Sequence, residues 1–581
     1  MNTRTGIFRQ HICRLLIATA VLIGPGCAQG PDRDTAAVAL PADLVLRGGA
    51  VYTMDSARSW AQAIAIRGGR IVFVGLDKDL PAHIGPATRV VDLKGRMLMP
   101  AFQDAHIHPI SAGLKAIACD LGGLKTADEY VAAIKKYADE HPDEAWITGR
   151  GWLMSAFGPG ALARRELIDA VVPDRPVVLS STDGHTAWVN TKALEMAGIT
   201  NDTSDPPDGR IDRDPRTGAA IGSLQEGATA LLDGVVPVPS ETKRQDGLRY
   251  SIRRLNSHGI TTIQDASVNE ADLKTYKALD AGGELSLRVV ASILWNRDAG
   301  FEQIAAMKRL RTQYTAGHID AGTAKIMQDG VMENCTAALL EPYLMPGDVR
   351  GITLIDPERL KAIVTRLDAE GFQVHFHAIG DAATRESLDA VEAARGRNGD
   401  RTHRHHISHL QLIDRADIPR FRALRVVANF QPVWAYADEY ITELTVPFVG
   451  PERTNRMYPI GSLLRSGAVV AFGSDWPVTT LNPFEGIEVA VTRMGPQGET
   501  TEPFIAAERI GLSEALAAFT INAAYANRIE MQTGSIEVGK LADLVVLDRN
   551  LFTIQPTDLS DSNVLVTLFE GKAVHGDLGA L

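Results

Sequence analysis

Two pairs of histidines in this sequence have a spacing that suits a metal ion. His106 and His108 lie in the segment DAHIHP, and His375 and His377 lie in the segment QVHFHAIGD. Residues i and i+2 of a β-strand point to the same face, so each pair would present two imidazoles together, as metal binding needs. The alternative is two polar side chains on one sheet face, which is costly when they are buried without partners. The spacing therefore favours a metal site.

Two further segments add candidate ligands. Residues 404–409 read RHHISH, and residues 471–477 read AFGSDWP, so an acid follows an apolar strand and a small-residue turn. Each segment is weak alone, because a lone histidine is more often structural and a strand-end aspartate is more often a helix cap. All four segments nevertheless fall at predicted carboxyl ends of strands, where barrel enzymes assemble their sites. Four histidines and one aspartate form a ligand set that suits Zn²⁺.

The middle of the chain, residues 101–532, must position these side chains. It alternates strand-like and helix-like segments, which predicts a parallel sheet in an α/β protein. Its length predicts a (β/α)₈ TIM barrel with insertions. The segments that carry this prediction are the helices Pro357–Glu370 and Asp381–Ala394 and the strands Gln373–His377, Val426–Gln431 and Val469–Phe472.

The two chain ends have a different pattern. Residues 43–100 and 533–581 consist of short apolar runs bounded by glycines, such as Ile71–Val74 before Gly75. Such runs indicate hairpins, and we expect both ends to build one small β-sandwich domain. Residues from about 125 to 250 fit the barrel repeat poorly, so we interpret them as an insertion near the barrel mouth. Its Pro/Asp/Gly-rich stretch, residues 202–218, predicts a surface loop.

The N-terminus resembles an export signal. Three arginines precede an apolar run from Leu15 to Ile23, and the first acidic residue is Asp32. This pattern predicts a signal peptide over residues 1–27, of the lipoprotein type because Cys27 follows the apolar run. A simple signal peptide cleaved near Ala28 is the alternative. Residues 28–42 then predict a flexible tether. We expect an exported protein, periplasmic or anchored by lipid in a bacterial cell envelope.

Composition limits the classes of partner. Lys plus Arg number 59 and Asp plus Glu number 71, which gives a net charge of −12 without any dense basic run. A nucleic-acid partner is therefore not expected. Beyond the signal segment only Cys119 and Cys335 remain. They could pair in an oxidising compartment, but two free buried thiols are the favoured interpretation.

These motifs together resemble the amidohydrolase superfamily, and within it the amidohydrolase 3 family, which includes N-substituted formamide deformylases. The order HxH, Lys, His, His and Asp is that of the superfamily. The resemblance extends over nearly all the chain after the tether. The phrases that carry it are GRGW at 149–152, DGHTAWVN at 183–190, KIMQDG at 325–330, HAIGD at 377–381 and GSDWP at 473–477.

The resemblance implies a role for each matched residue. His106 and His108 match ligands of one metal, and His377 and His409 match ligands of a second. Lys325 matches a lysine that is carboxylated and bridges the metals; a buried neutral lysine can react with CO₂ to give such an anionic ligand. Asp475 matches an acid that touches metal and takes a proton from the attacking water. Two Zn²⁺ ions per chain are implied.

Several assignments stay open at this point. His375 shares a strand face with His377, and His405 shares one with His409, so geometry alone permits either member of each pair. The family phrase favours His377 and leaves His375 as a supporting residue. Ser408 stands where the family usually has Glu, and on a strand this position points away from the metal.

The remaining matched residues lie around the predicted site. His185 could bind or polarise the substrate carbonyl, or it could be a structural loop histidine. Trp152 could line the substrate pocket or belong to the core. Asp329 and Asp381 are expected to orient ligands or cap helices.

The function implied is metal-dependent hydrolysis of a small molecule at a carbon–nitrogen bond outside ordinary peptides, of amide or formamide type. The same ligands would also serve a lactonase, an esterase or a phosphotriesterase. A non-catalytic binding lipoprotein is the alternative from another class, and it predicts broken ligand positions. All six positions are filled. Membrane contact is expected only through an N-terminal lipid. The resemblance to the family implies a homodimer.

Overall fold

An eight-stranded parallel sheet forms the centre of this computed structural model. The structure describes residues 40–581, except 158–162, 182–185, 207–208 and 333–334. The predicted signal peptide, Cys27 and most of the predicted tether lie outside the described residues, as does His185.

The strands are distributed among four sheets. In chain order they are β1 (Leu44–Arg47), β2 (Ala50–Tyr52), β3 (Trp60–Ala61), β4 (Ala63–Arg67), β5 (Arg70–Gly75), β6 (Arg89–Asp92), β7 (Met97–Pro100), β8 (Phe102–Ile107), β9 (Cys119–Asp120), β10 (Ile147–Trp152), β11 (Val177–Ser181), β12 (Thr186–Val189), β13 (Gly209–Arg213), β14 (Ala220–Glu226), β15 (Ile260–Val268), β16 (Arg288–Leu294), β17 (Ile319–Met327), β18 (Gln373–Ala378), β19 (His406–His409), β20 (Val427–Phe430), β21 (Val470–Phe472), β22 (Leu544–Leu547), β23 (Val564–Phe569) and β24 (Lys572–His575).

The helices mostly connect the barrel strands. They are α1 (Pro109–Ala116), α2 (Ala127–Glu140), α3 (Arg165–Asp169), α4 (Thr191–Met196), α5 (Glu241–Ser257), α6 (Glu270–Ala281), α7 (Gln303–Tyr314), α8 (Pro357–Ala369), α9 (Asp381–Asn398), α10 (Ile418–Ala423), α11 (Glu439–Thr442), α12 (Val446–Thr454), α13 (Ile460–Ser466), α14 (Pro483–Thr492), α15 (Leu512–Ala518) and α16 (Ile521–Ala526). Within the described part of the chain, none combines the length and apolar character needed to traverse a lipid bilayer.

The predicted barrel is confirmed. Its strand order is β21-β20-β19-β18-β17-β16-β15-β8, and every adjacent pair is parallel. The helix predicted from Pro357 is α8 and the one predicted from Asp381 is α9, with strand β18 between them. Strands such as β18 are buried along their whole length, as expected for a sheet covered by helices on its outer face.

Backbone hydrogen bonds close the gap between the two ends of this sheet. Strands β21 and β8 share no ladder, but the loop after β21 pairs with β8. The Asp475 amide donates to the His106 carbonyl at 2.7 Å, and the His108 amide donates to the Trp476 carbonyl at 2.9 Å. The Asn429 side chain adds a bond from β20 to the Ala105 carbonyl at 2.9 Å. The barrel is thus closed at the carboxyl ends of its strands.

Both chain ends contribute strands to one sheet. Its order is β24-β23-β22-β7-β2-β3, so β7 from the N-terminal region pairs with β22 from the C-terminal region. A second sheet has the order β5-β4-β1-β6, and apolar side chains of both sheets form one buried cluster. The predicted β-sandwich domain and the domain boundaries stay predictions.

A further sheet lies between β8 and β15 in the sequence, where an insertion is predicted. Its order is β13-β14-β12-β11-β10-β9, and only β9, β10 and β11 run parallel. The expectation of an irregular loop over residues 202–218 is wrong in part, because β13 occupies Gly209–Arg213 and pairs with β14. The side chain of Ile211 is buried there, which supplies the apolar contact that the polar composition conceals.

Gly473 offers a test of the barrel closure. A Cβ on this residue would lie 2.5 Å from the His106 amide nitrogen, a backbone atom that cannot move without shifting β8. We expect Gly473→Ala to lower the free energy of unfolding by about 1–3 kcal/mol, the usual range for overpacking. Urea unfolding monitored by circular dichroism would measure it.

Gly396→Ala in α9 is the matched control. A Cβ at Gly396 meets nothing within 4 Å, so this change should be neutral or stabilise the protein by up to about 1 kcal/mol through helix propensity. Equal behaviour of the two variants would contradict the proposed tight contact between the loop after β21 and β8.

Candidate metal centre

His106, His108 and Asp475 converge at the carboxyl ends of the barrel strands. One ligand atom from each lies within 4.8 Å of the others. The Asp475 Oδ1 atom is 3.2 Å from His108 Nε2 and 3.5 Å from His106 Nε2. His106 and Asp475 are buried, and His108 is half-buried at the start of α1. Two imidazole nitrogens and a carboxylate oxygen facing one point form a cluster that can hold a cation.

The backbone fixes this arrangement. Asp475 has a φ of 55°, which turns its side chain out of the strand direction and towards β8. The Asp104 carboxylate accepts hydrogen bonds from the amides of His106 at 3.1 Å and Ser474 at 3.0 Å, so it joins both segments. Burial raises the pKa of Asp104 to about 7. Left-handed conformations of residues other than glycine are concentrated at functional sites, where surrounding bonds stabilise them.

His375 contacts His106 and is not itself a member of the cluster of His106, His108 and Asp475. Its Nε2 atom lies 2.9 Å from His106 Nδ1 and 2.8 Å from Ser408 Oγ, and its Nδ1 atom lies 3.1 Å from Ser292 Oγ. The expectation that Ser408 points away from the metal side is wrong, because Ser408 pairs in register with His377 and shares its inward face. If His106 carries its proton on Nδ1, it donates to His375 and leaves Nε2 free towards Asp475. A donor bond of this kind fixes the tautomer and ring orientation of a metal-binding histidine.

His377 and His409 complete a row of histidine rings. The His377 Nδ1 atom is 3.1 Å from Asp329 Oδ1, and the His409 Nδ1 atom is 2.8 Å from Gln431 Oε1. The two ring centres are 4.5 Å apart, and the ring of His409 is 4.6 Å from that of His106. Because both Nδ1 atoms are engaged, the Nε2 atoms of His377 and His409 are left for a ligand.

Lys325 reaches the same region from β17. Its side chain is 2% exposed, and Nζ makes no hydrogen bond within the described residues. Burial lowers the pKa of Lys325 to about 7, and nearby Asp475 opposes this shift. A substantial fraction of the amine is therefore neutral near pH 7, which is the reactive form of a lysine.

Burial also favours the neutral form of His106, His375 and His409. It lowers the pKa of His106 well below the ordinary value, and the Lys325 ammonium lowers it further. For His409, burial is again the largest cause, followed by His377 and Lys325. The pKa of His375 is lowered well below its ordinary value by burial and Lys325. Neutral imidazole is the form that binds metal ions.

Comparisons with known proteins match this architecture. A model of the amidohydrolase family matches residues 89–575. The chain belongs to the amidohydrolase family. The resemblance inferred from its motifs is thereby confirmed.

Three similar proteins illustrate the relationship of this amidohydrolase to others. Protein LONG AFTER FAR-RED 3 of Arabidopsis thaliana is 33% identical over 542 residues, which cover 92% of each chain. The N-substituted formamide deformylase of Arthrobacter pascens is 27% identical over 548 residues, covering 91% of this chain and 97% of that one. A solved structure, an uncharacterized metal-dependent hydrolase from Pyrococcus furiosus, is 25% identical with a TM-score of 0.72, covering 88% of this chain and 99% of that one. These findings support a metal-dependent hydrolase.

The donor set of this amidohydrolase fits a divalent cation. Asp475 Oδ1 and Lys325 Nζ are buried polar atoms without hydrogen bonds to described residues, although such atoms normally have partners. Imidazole nitrogens and carboxylate oxygens are ligands that Zn²⁺ accepts. His106, His108 and Asp475 would hold the cation, with His377, His409 and Lys325 beside them.

Other predicted site residues lie apart from the histidine row. Trp152 is fully buried in the core of the insertion sheet, where its indole donates to the Leu179 carbonyl at 2.8 Å. His405 lies at the other end of β19, its Nε2 atom 3.1 Å from Asp368. Asp381 begins α9 and accepts from the Leu340 amide at 2.9 Å. Of the two thiols, Cys119 is buried and Cys335 is half-buried, and both are free.

Sequence reasoning missed several polar residues at the site, among them Ser292, Asp265 and Gln431. Asp265, near the end of β15, lies 4.0 Å from His108 Nδ1 and accepts from the Tyr276 hydroxyl at 2.7 Å. Burial raises the pKa of Asp265 to about 7. Gln431, directly after β20, orients His409. Asp265 and Gln431 could have been found only from their position at the carboxyl ends of strands, because neither belongs to a motif of several residues.

Metal retention tests the site directly. We expect the protein purified with added Zn²⁺ to retain metal after desalting, because His375, Asp329 and Gln431 orient the rings of three histidine ligands. His108→Ala and Lys325→Ala should each lower the metal content per chain substantially, as measured by elemental mass spectrometry.

His405→Gln is the control for that measurement. It changes a buried histidine of the same segment that is bonded to Asp368 and lies away from the cluster, so its metal content should equal that of the wild type. Equal metal in all four folded proteins would remove His108 and Lys325 from the ligand set.

Proposed function

We propose that this amidohydrolase cleaves a carbon–nitrogen bond outside ordinary peptides, of amide or formamide type, in a small molecule. The similarity to an N-substituted formamide deformylase over nearly the full length of both chains supports this bond type. The observation that carries the proposal is the position of Asp475. Its Oδ1 atom faces His106 and His108 and accepts no hydrogen bond from described residues.

Asp475 is suited to transfer a proton during hydrolysis. The bond from the Asp475 amide to the His106 carbonyl fixes the backbone of Asp475 beside the two histidines, so its carboxylate can take a proton from the attacking water and deliver it to the leaving nitrogen. A divalent cation, when bound, polarises the scissile carbonyl and lowers the pKa of water. His185 would stabilise the developing oxyanion by a side-chain hydrogen bond, a role that stays a prediction.

Lys325 is proposed to become carboxylated. Its neutral amine attacks CO₂ to form a new nitrogen–carbon bond, and one proton leaves to solvent, so a carbamate anion replaces the amine. The lowered pKa of Lys325, about 7, makes the neutral amine available. An anionic oxygen donor on Lys325, together with the histidines and Asp475, would complete a ligand set for two Zn²⁺ ions.

Substrate hydrolysis tests the proposed bond type. We expect the Zn²⁺-loaded protein to hydrolyse N-substituted formamides or amides, with amine release measured by mass spectrometry. Asp475→Asn should lower kcat about 10²–10⁴-fold, the usual contribution of a positioned acid–base group. Asp174→Asn, at an exposed carboxylate of the insertion, should leave kcat unchanged.

A parallel panel separates the competing activities. Lactones, carboxylic esters and phosphotriesters are offered to the same preparation. If one of these substrates is hydrolysed and no amide or formamide is, the proposed bond type is wrong and the bond of the hydrolysed substrate takes its place. The absence of all turnover from a metal-loaded, folded protein would favour the binding lipoprotein.

We propose in addition that the chain is exported and lipidated on Cys27. The arginines before the apolar run and the position of Cys27 support this. In a bacterial host, the full-length protein should incorporate labelled palmitate and enter the detergent phase on Triton X-114 partitioning. Cys27→Ser should abolish both. An unlabelled, water-soluble wild-type protein cut near Ala28 would identify a simple signal peptide instead.

A further inference from the structure

A cavity of about 700 Å³ lies between the barrel and the insertion sheet. Its wall begins on α1 at Ile110, two residues after His108, and continues to Lys115. Arg150 of β10 and Ser180 of β11 form the wall on the insertion side, and Arg244 of α5 contributes from the barrel side. The insertion and the barrel therefore form an open cleft, and its lining begins two residues along the chain from the candidate ligand His108.

The charges around this cavity are unbalanced. Lys115, Arg150 and Arg244 line it together with a single acid, Asp272, so the lining carries a formal charge of 3 − 1 = +2. Arg244 is neutralised, because its guanidinium lies 3.0 Å from the Asp272 carboxylate. Lys115 and Arg150 have no ion pair with any carboxylate of the described residues.

Two observations indicate that Lys115 and Arg150 bind a negatively charged ligand. The Arg150 Nε atom is buried and has no hydrogen-bond partner among the described residues, which is unusual for a guanidinium. Burial lowers the pKa of Lys115, and Arg150 lowers it further, so the two cations are close enough to repel each other. Such repulsion is relieved when an anion lies between them.

The cavity is placed to act on the same molecule as the metal centre. Lys115 follows His108 by seven residues on α1, which corresponds to about 10 Å along a helix with a rise of about 1.5 Å per residue. Asp475 is near enough to raise the pKa of Lys115. Because Lys115 and Arg150 line the same cavity, a substrate whose reacting carbonyl lies beside Asp475 and whose chain follows α1 for about 10 Å would reach both cations.

We infer that this cavity is a carboxylate-binding subsite, so the preferred substrates are amides or formamides that carry a carboxylate about 10 Å from the scissile bond. This inference rests on the proposed function. The Arg150 guanidinium offers paired N–H donors that match a carboxylate, and Lys115 adds a second positive charge. Apolar contacts from Ile110 and Leu114 suit a hydrocarbon chain between the two ends.

A matched substrate pair tests the inference. The acid is an N-formyl ω-amino acid with about 10 Å between formyl carbon and carboxylate; its partner is an N-formyl alkylamine of equal length. We expect kcat/KM to be at least tenfold higher for the acid. In the double variant Lys115→Met/Arg150→Met, the ratio of kcat/KM for the acid to kcat/KM for the alkylamine should fall at least tenfold. The fall should come from a higher KM for the acid. Lys125→Met, which removes an exposed charge outside the cavity lining, should leave the ratio unchanged.

A binding measurement separates this inference from the proposed function. Isothermal titration calorimetry with heptanoate, using heptanol as the uncharged probe, needs no turnover. We expect heptanoate to bind the wild type and to bind the double variant at least tenfold more weakly. If no substrate is cleaved but this difference is found, the proposed function fails and the subsite stands. Equal heptanoate affinity in both proteins, or an unchanged substrate ratio, would overturn the subsite.

Discussion

The hydrogen bonds between β8 and the loop after β21 are the constraint on which the metal centre depends. The Asp475 amide bonds the His106 carbonyl, and the His108 amide bonds the Trp476 carbonyl. The same two segments carry the candidate ligands His106, His108 and Asp475, so the bonds that close the barrel also bring these ligands together. A shift of one residue in this pairing would place the side chains of the two segments on opposite faces, so His106, His108 and Asp475 would no longer lie together.

The electrostatics of the site follow from burial. The imidazoles of His106, His375 and His409 and the amine of Lys325 are buried in a region with little water, where charged forms are disfavoured. Their neutral forms are also the forms that bind a cation or react with CO₂. Hydrogen bonds offset part of the desolvation cost, since His106 has His375, His377 has Asp329 and His409 has Gln431. The orientation of each ring thus depends on a partner in a neighbouring strand.

Much of the barrel could be predicted from the sequence, because strand spacing and strand–helix alternation are local properties. The role of His375 could not. It shares a face with His377, but it lies one layer deeper in the barrel, where it contacts Ser292 and His106. Asp265 and Gln431 were missed because a single polar residue at a strand end has no distinguishing pattern. Strand β13 was missed because its flanking Pro, Asp and Gly residues outweigh one buried isoleucine.

The position of β7 has a consequence for synthesis of the chain. This strand pairs with β2 on one side and with β22 on the other. A ribosome delivers β7 before the barrel strands β15–β21, and β22 only after them. Throughout that interval the edge of β7 that later pairs with β22 has unpaired backbone groups, and its residues Met97, Leu98 and Met99 are apolar. Open strand edges recruit other strands, so the nascent protein is most exposed to mispairing while its enzymatic centre is being made.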